Sequence, residues 1–296
     1  MELVMRMTLE GWITHWVAMR SAGLRPRTIE GYLCLLRRHI APSIGGIALS
    51  DLTPDDVMAM LSPLCAAGKT RTAELCFVLL RAALRDALRL RQIPMNPMDA
   101  ILRPKHRQKR PEPWAPEDIQ RYLFGIRTDK YRIAWLLAIL CGLRRGEICG
   151  LRWSDIDLRA RVLHIRRQRV AMESSRVIEG PPKSASGIRD VPLPDGLVSV
   201  LREAFRLGDG YVVPITPKGL GNAHRTVIRR LGLPYLPLHG LRHTMATNAL
   251  RNGASMKGLQ GVLGHADFGT TANIYTHVDP TLLRGAVDAA GVGVVY

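Results

Sequence analysis

Apolar positions recur at helical spacing from the first residues of the chain onward. Leu9, Trp12, Ile13, Trp16 and Val17 share one face of a helix that Thr8 can cap. After Pro26, the residues Ile29, Tyr32, Leu33, Leu36 and Ile40 repeat the pattern. Thr53-Pro54-Asp55-Asp56 predicts a further helix start, with a cap, a proline in the first turn and acids at the positive dipole end. A long helical stretch is predicted from about Thr70 to Leu90. Pro116-Glu117-Asp118 opens the next one, and helices are predicted over 117–126, 130–141 and 146–152. Then the period changes. Residues 162–165 and 188–191 read as two short strands, separated by a Ser/Gly/Pro-rich stretch. From Lys218 the pattern is helical again through Tyr275. The tail carries Leu282, Leu283, Ala286, Val287 and Ala290, a short apolar helix that either closes its own core or docks on a neighbour.

Between the all-helical front and the mixed second half lies 102–114, LRPKHRQKRPEPW. Its three prolines break helix, and Arg103, Lys105, Arg107, Lys109 and Arg110 crowd into a short run. It predicts a domain boundary, and between two basic domains a strap across a nucleic-acid backbone, although a solvated linker has the same composition. With 296 residues the chain has room for two domains with ordinary cores.

Composition adds a partner. The formal charge is +17, from 42 basic and 25 acidic residues, and 35 of the 42 are arginine. Residues 1–110 carry about +8 and the remainder about +9, so neither half is the sole basic one. A chain this basic is expected to bind a polyanion, and arginine is the bidentate phosphate partner, though GC-rich coding also favours arginine. On the long helix Arg81, Arg85 and Arg89 repeat at i, i+4 and i+8. Like charges at that spacing cost about 0.2–0.5 kcal/mol per pair, so the stripe either faces phosphates or is a solvated face relieved by Asp86 and Glu74. The five cysteines form no CxxC or zinc spacing, which predicts reduced thiols in a cytoplasmic protein. No apolar run reaches the ~18–20 residues that span a bilayer, and the first residues lack the apolar core of a leader, so no membrane partner is expected.

Candidate chemistry concentrates in five strings: GLRRGE (142–147), PPKSASGIRDVPLP (181–194), HGLRH (239–243), LGH (263–265) and NIYTHV (273–278). Arg144 sits near a helix start, where free amides also favour an anion. Glu147 is either a first-turn acid or a carboxylate that orients Arg144 and a histidine. His239, Arg242 and His243 project from nearly one helix face. HxxxH can hold zinc, but the HExxH glutamate is absent and no third ligand has a suggestive spacing, so no metal is expected. Lys183, His265 and Tyr275, each taken alone, read as a surface lysine, a structural histidine and a core tyrosine. Together, two guanidiniums, two imidazoles and an amine can grip one phosphodiester, and a phenol can attack it.

In this order, these strings resemble the tyrosine site-specific recombinase (phage integrase) family. LRPRTIEGYLCLLRRHI followed by LTPDDVMAML resembles its helical core-binding domain, and about 120–280 its catalytic domain. The resemblance implies two domains: an all-α core-binding helical bundle of SAM-like type over 1–101 and, after a basic linker over 102–115, a mixed, mostly α catalytic domain over 116–279 with a small antiparallel sheet. The tail, 280–296, is expected to contact other subunits. The resemblance further implies that Arg144 and Arg242 are the arginine pair, Lys183 the general acid, His239 and His265 the histidines, and Tyr275 the nucleophile that forms a 3′-phosphotyrosine, with Glu147 supporting them. No cofactor is implied. The implied partners are double-stranded DNA, a homotetramer on two DNA sites, and accessory DNA-bending or directionality factors, at a cytoplasmic, nucleoid-associated location. Arg81, Arg85, Arg89, Lys105, Arg107 and Lys109 are the expected DNA contacts, with the two domains and linker clamping the duplex. By this resemblance the sequence is expected to open almost directly on the core-binding domain, whereas many phage-type integrases carry an extra arm-binding domain, which puts regulation through distant arm sites in doubt. Three alternatives stay open at this point: a type IB topoisomerase-like enzyme, a non-catalytic DNA-binding regulator and, least favoured, a metal nuclease.

Overall fold

The structure is a computed structural model that describes residues 7–106, 111–172, 174, 176–205 and 210–264. Two compact units divide the chain, Met1–Lys109 and Arg110–Tyr296.

In the first unit, α1 (Leu9–Met19) starts where Thr8 Oγ1 accepts the Gly11 amide, and its five expected apolar residues are all buried. Pro26 opens α2 (Pro26–Leu35), which continues as wider π-type turns over Leu36–Gly45, around the internal Pro42. α3 (Pro54–Ala66) begins with a full capping box, in which Thr53 and Asp56 exchange hydrogen bonds between side chain and backbone. α4 (Thr70–Arg89) is the longest helix among the described residues and buries Ala73, Cys76, Phe77, Leu80, Ala83, Leu84 and Ala87. The two tryptophans of α1 join it by polar tips as well as by rings. Trp12 Nε1 donates to the Ala83 carbonyl at 3.0 Å and Trp16 Nε1 to Asp86 at 2.8 Å. That is how a large aromatic satisfies its one donor inside a core.

The unit's last stretch turns back on α4: Arg103 binds Glu74 at 2.7 Å and His106 Nδ1 lies 3.0 Å from Thr70 Oγ1. The first residues of the basic run are therefore anchored.

The second unit opens with Trp114, buried, whose amide donates to Thr244 Oγ1 and whose indole donates to the Pro234 carbonyl. α5 (Pro116–Gly125), α6 (Arg132–Leu140) and α7 (Arg145–Gly150) follow where the apolar spacing predicts them. Among the described residues five short strands come next: β1 (Ile156–Asp157), β2 (Val162–Ile165), β3 (Gln168–Ala171), β4 (Val177–Gly180) and β5 (Arg189–Pro192). β1, β2 and β5 form an antiparallel sheet in that order, and β3 and β4 form a separate hairpin. The second predicted strand is thus displaced by one residue, and the hairpin lies in the stretch expected to be loop. α8 (Asp195–Ala204) is an additional helix, outside those predicted from the apolar spacing. The long C-terminal helical pattern is broken by Gly232–Pro237 into α9 (Pro217–Leu231) and α10 (Leu238–Arg251), with α11 (Met256–Leu263) after them. The core gathers Trp135, Leu137, Ile148, Leu163, Ile165, Val191, Leu201, Leu220 and Leu241. At its centre Tyr122 Oη lies 3.2 Å from His224 Nδ1, and His224 Nε2 lies 3.1 Å from the Leu236 carbonyl. Among the described residues no helix is long and apolar enough to cross a membrane.

Candidate active site

Three distant strings meet at one place in the second unit. Arg144 precedes α7, Arg242 lies in the second turn of α10, and both reach the C-terminal end of α11. Arg242 Nη1 donates to the Gly142 carbonyl at 2.7 Å, and its Nη2 donates to the Leu263 carbonyl. Arg144 Nη2 donates to the next carbonyl, Gly264, at 2.9 Å. Helix-terminal carbonyls lack intrahelical partners and carry the negative dipole end, so they are natural acceptors for guanidinium. The α11 end holds two arginines by consecutive peptides.

This turn depends on glycine. Gly264 has φ of +62°, and a Cβ there would sit 2.5 Å from the Ser186 carbonyl oxygen and 2.8 Å from Arg189 Cδ. Gly142, also left-handed, would press a Cβ against Leu263 at 2.9 Å. The contact with Ser186 brings the loop that carries Lys183 against the α11 end.

Glu147 underlies the arginines and is only 1 % exposed. Its Oε2 accepts the Arg144 amide and its Oε1 accepts Arg144 Nη1, both at 2.8 Å. Arg189, on the buried face of β5, grips the same carboxylate with Nη1 and Nη2 at 3.0 Å each. Burial on its own would raise the Glu147 pKa. The Arg189 hydrogen bonds and charge, followed by those of Arg144, outweigh it and hold the group below its ordinary value. It is a carboxylate at neutral pH, inside a cluster whose three arginines leave a net positive charge.

Arg242 is 3 % exposed. Burial, then the charge of Arg144, pull its pKa down to about 9, so it stays cationic at neutral pH. His239, exposed at the start of α10, is dehydrated by the protein packed around it and repelled by Arg242, Arg144 and His243. These lower its pKa against the opposing pull of Glu147. It is neutral at pH 7, able to donate one proton and accept another. His243 is half-buried, one residue past Arg242.

Lys183 is exposed on the connection between β4 and β5. Arg81, Arg85 and Arg89 are all exposed along α4. Asp86 relieves part of that stripe, at 3.7 Å from Arg85 and 3.9 Å from Arg89, but is held more closely by Arg20 at 2.8 Å. Glu74 relieves none of it, being bound by Arg71 and Arg103. Arg81 has no carboxylate partner among the described residues. Lys105 is exposed in the basic run. His265, Tyr275, Arg107, Lys109 and the tail 280–296 lie outside the described residues. Arg189 is the cluster member that the sequence reading missed. The available signal was an arginine alternating with Val191 in a strand, which puts it on the apolar face.

In a mostly helical, two-unit protein, a carbonyl-braced arginine pair over a buried carboxylate has the charge and donors that can hold an oxyanion such as a phosphate. Comparison with known proteins sharpens that class. The profile of the phage integrase family matches residues 118–281, and that of the phage integrase N-terminal SAM-like domain matches residues 8–65. The chain belongs to the phage integrase family.

Among its relatives is a tyrosine recombinase XerC-like protein of Caldanaerobacter subterraneus subsp. tengcongensis, 31% identical over 207 residues. That match takes in 60% of this chain and 53% of the relative, so it spans about half of the relative's length. A putative prophage phiRv2 integrase of Mycobacterium tuberculosis is 28% identical over 285 residues, 90% of this chain and 72% of that protein. The Tn1549 transposon integrase, solved in complex with a circular intermediate DNA, superposes with a TM-score of 0.81 at 20% identity, covering 96% of this chain and 99% of the other. A lambda integrase tetramer bound to a Holliday junction gives 0.71 at 20% identity, with 92% and 78% covered. At such identities these two likenesses show the fold.

Proposed function

We propose that the chain is a site-specific DNA recombinase that cuts and rejoins duplex DNA through a 3′-phosphotyrosine, needing neither metal nor ATP. One observation carries the reading: Arg144 and Arg242, 98 positions apart, are braced on consecutive carbonyls at the end of α11. Guanidiniums fixed in advance can stabilise the charge that grows on nonbridging phosphate oxygens without reorganising during the reaction. A planar fork is the matching shape for a phosphate edge. Removal of one such donor typically costs about 3–4 kcal/mol, or about 100- to 1,000-fold in rate.

In this proposal the Tyr275 oxygen attacks the scissile phosphorus. The P–O5′ bond breaks, and the 5′-oxygen leaves with a proton from Lys183. One phosphodiester replaces another, so the reverse transfer reseals the strand without an energy source. His239 takes the phenolic proton or holds a phosphate oxygen; its lowered pKa leaves it neutral and able to act as a base. His265, next after Gly264, donates a further hydrogen bond to the phosphate, and Glu147 holds Arg144.

The partner is double-stranded DNA. Arg81, Arg85, Arg89, Lys105, Arg107 and Lys109 contact its phosphates. Residues 1–101 serve as the core-binding domain, 102–115 as the linker and 116–279 as the catalytic domain. The DNA-bound states of the Tn1549 and lambda integrases support this partner, and the lambda tetramer bound to a Holliday junction supports a homotetramer. Assembly on two DNA sites and exchange of 280–296 between subunits are further parts of the proposal. Accessory DNA-bending or directionality factors and a cytoplasmic, nucleoid-associated location complete the proposal. The test is an adduct gel with a nicked duplex carrying the protein's own site. Wild type gives a denaturant-resistant protein–DNA band in EDTA. Tyr275→Phe gives none while still shifting the duplex, and an adduct that survives this change refutes the nucleophile.

A further inference from the structure

We propose that Arg189 is a positioning residue of this site, the common brace that sets the direction of Arg144 by tying Glu147, the end of α11 and the Lys183 loop together. The inference rests on the recombinase reading above.

Arg189 spends its donors on three separate segments. Nη1 and Nη2 hold the two oxygens of Glu147, at 3.0 Å each. Nε donates to the Val262 carbonyl at 2.6 Å, one peptide before the carbonyls that hold Arg242 and Arg144. Nη1 also donates to the Gly187 carbonyl at 3.0 Å, closing the turn that follows Lys183. Its side chain is 6% exposed and that of Glu147 1%, so water does not substitute for these bonds. The β5 strand fixes the backbone beneath them through the pairing of Arg189 with Ile165 on β2. One guanidinium therefore touches every segment that carries a proposed phosphate-binding group of the described site except α10. It reaches α10 through the neighbouring α11 carbonyls.

Electrostatics makes the brace specific. With Arg189 present, each Glu147 oxygen is shared between Arg189 and Arg144, leaving the Arg144 guanidinium one N–H bond to the carboxylate and one to Gly264, beside the bond from the Arg144 amide. With Arg189 removed, a buried carboxylate has Arg144 as its chief counter-charge. An ionised Glu147 then draws the Arg144 fork down to itself. A protonated Glu147 gives up an acceptor that positions it. Either way Arg144 turns from the phosphate. The charged and titratable groups facing Glu147 are Arg144 at the start of its own helix, Arg189 from β5, and Arg242 and His239 from α10.

The test uses the full chain and a nicked duplex carrying its attachment sequence, obtained by sequencing the DNA that crosslinks to the protein in cells. Arg189→Met should cleave about 10- to 100-fold more slowly in a single turnover, since a misplacement of about 1 Å can cost about 100-fold. Its duplex affinity should stay within about twofold of wild type, because phosphate contacts elsewhere dominate binding. The acid limb of its rate should also begin at higher pH than in wild type, as Glu147 loses the partner that keeps it ionised. Arg189→Lys, which can reach one oxygen, should lie between R189M and wild type. The double variant R189M/E147Q should return the acid limb to its wild-type position. A limb that stays shifted there belongs to His239 and overturns the inference, as does R189M cleaving at the wild-type rate and pH profile. If R189M fails to melt cooperatively, R189K and the double variant, which buries no orphaned charge, are read in its place. In them a wild-type rate is again the overturning result. Absence of any adduct from wild type refutes the recombinase reading itself, a different outcome from an active wild type beside an unaffected R189M.

Discussion

Gly264→Ala isolates the role of the α11 end. The residue has φ of +62°, and left-handed backbone costs a side-chain-bearing residue about 1–2 kcal/mol. The new Cβ would also stand 2.5 Å from the Ser186 carbonyl oxygen and 2.8 Å from Arg189 Cδ. Relief requires a shift of roughly 1 Å in the peptide whose oxygen holds Arg144, or in the loop that carries Lys183, and a displacement of that size can cost about 100-fold in rate. Gly253 provides the matched control. It too is left-handed, at φ of +84°, but a Cβ there meets nothing within 4 Å. Gly253→Ala therefore incurs the backbone cost alone. Both variants should melt a few degrees lower, at about 2–4 °C per kcal/mol for a unit of this size. Only Gly264→Ala should lose cleavage, read as single-turnover adduct formation on a nicked duplex, with equal DNA affinity in both. Equal rates in the two variants would refute the claim that this turn aims the arginines.

Four further outcomes follow from the same physics. Trp114→Ala should destabilise the second unit by about 3–5 kcal/mol, read by urea unfolding, because it empties a packed aromatic site and strands the Pro234 carbonyl. His224 is held neutral by burial, with its pKa lowered to about 4. The unfolded chain therefore binds the extra proton first, and stability present above pH 6.5 is lost as the pH falls toward 4. The full effect is on the order of 3 kcal/mol, and His224→Gln should flatten that part of the melting-temperature profile. Replacing Arg81, Arg85 and Arg89 together by alanine should reduce the slope of log K against log[salt] by up to about 0.9 per lost phosphate contact; an unchanged slope removes the stripe from the DNA interface. Lys183→Ala should regain cleavage on a duplex with sulfur in place of the 5′-oxygen, since a thiolate leaves with little need of a proton; failure of that rescue argues against the general acid.

Legibility in the sequence followed the range of each interaction. α1 and the start of α3 depend on contacts within one turn, and Thr8, Thr53 and Asp56 announce them. β3 and β4 do not alternate, because seven of their eight residues are half-buried, so no period of two marks them. The single helical pattern expected after Lys218 breaks at Gly232, which adopts the left-handed conformation that ends α9. The motif strings named Arg144, Arg242 and Glu147 directly. Arg189 stayed hidden because its partner lies 42 positions earlier and a charged residue in a short strand ordinarily faces solvent. That Arg103 reaches back to Glu74 is likewise a tertiary fact, invisible to helical spacing, whereas the Arg71–Glu74 pair is an i,i+3 contact within α4.

The most direct test of the account is to trap the protein on a nicked duplex carrying its own site, digest the adduct and sequence the DNA-bearing peptide by mass spectrometry. The account predicts a nucleotide joined through its 3′-phosphate to Tyr275. A linkage to another residue, a 5′-phosphate linkage, or cleavage with no protein attached contradicts it.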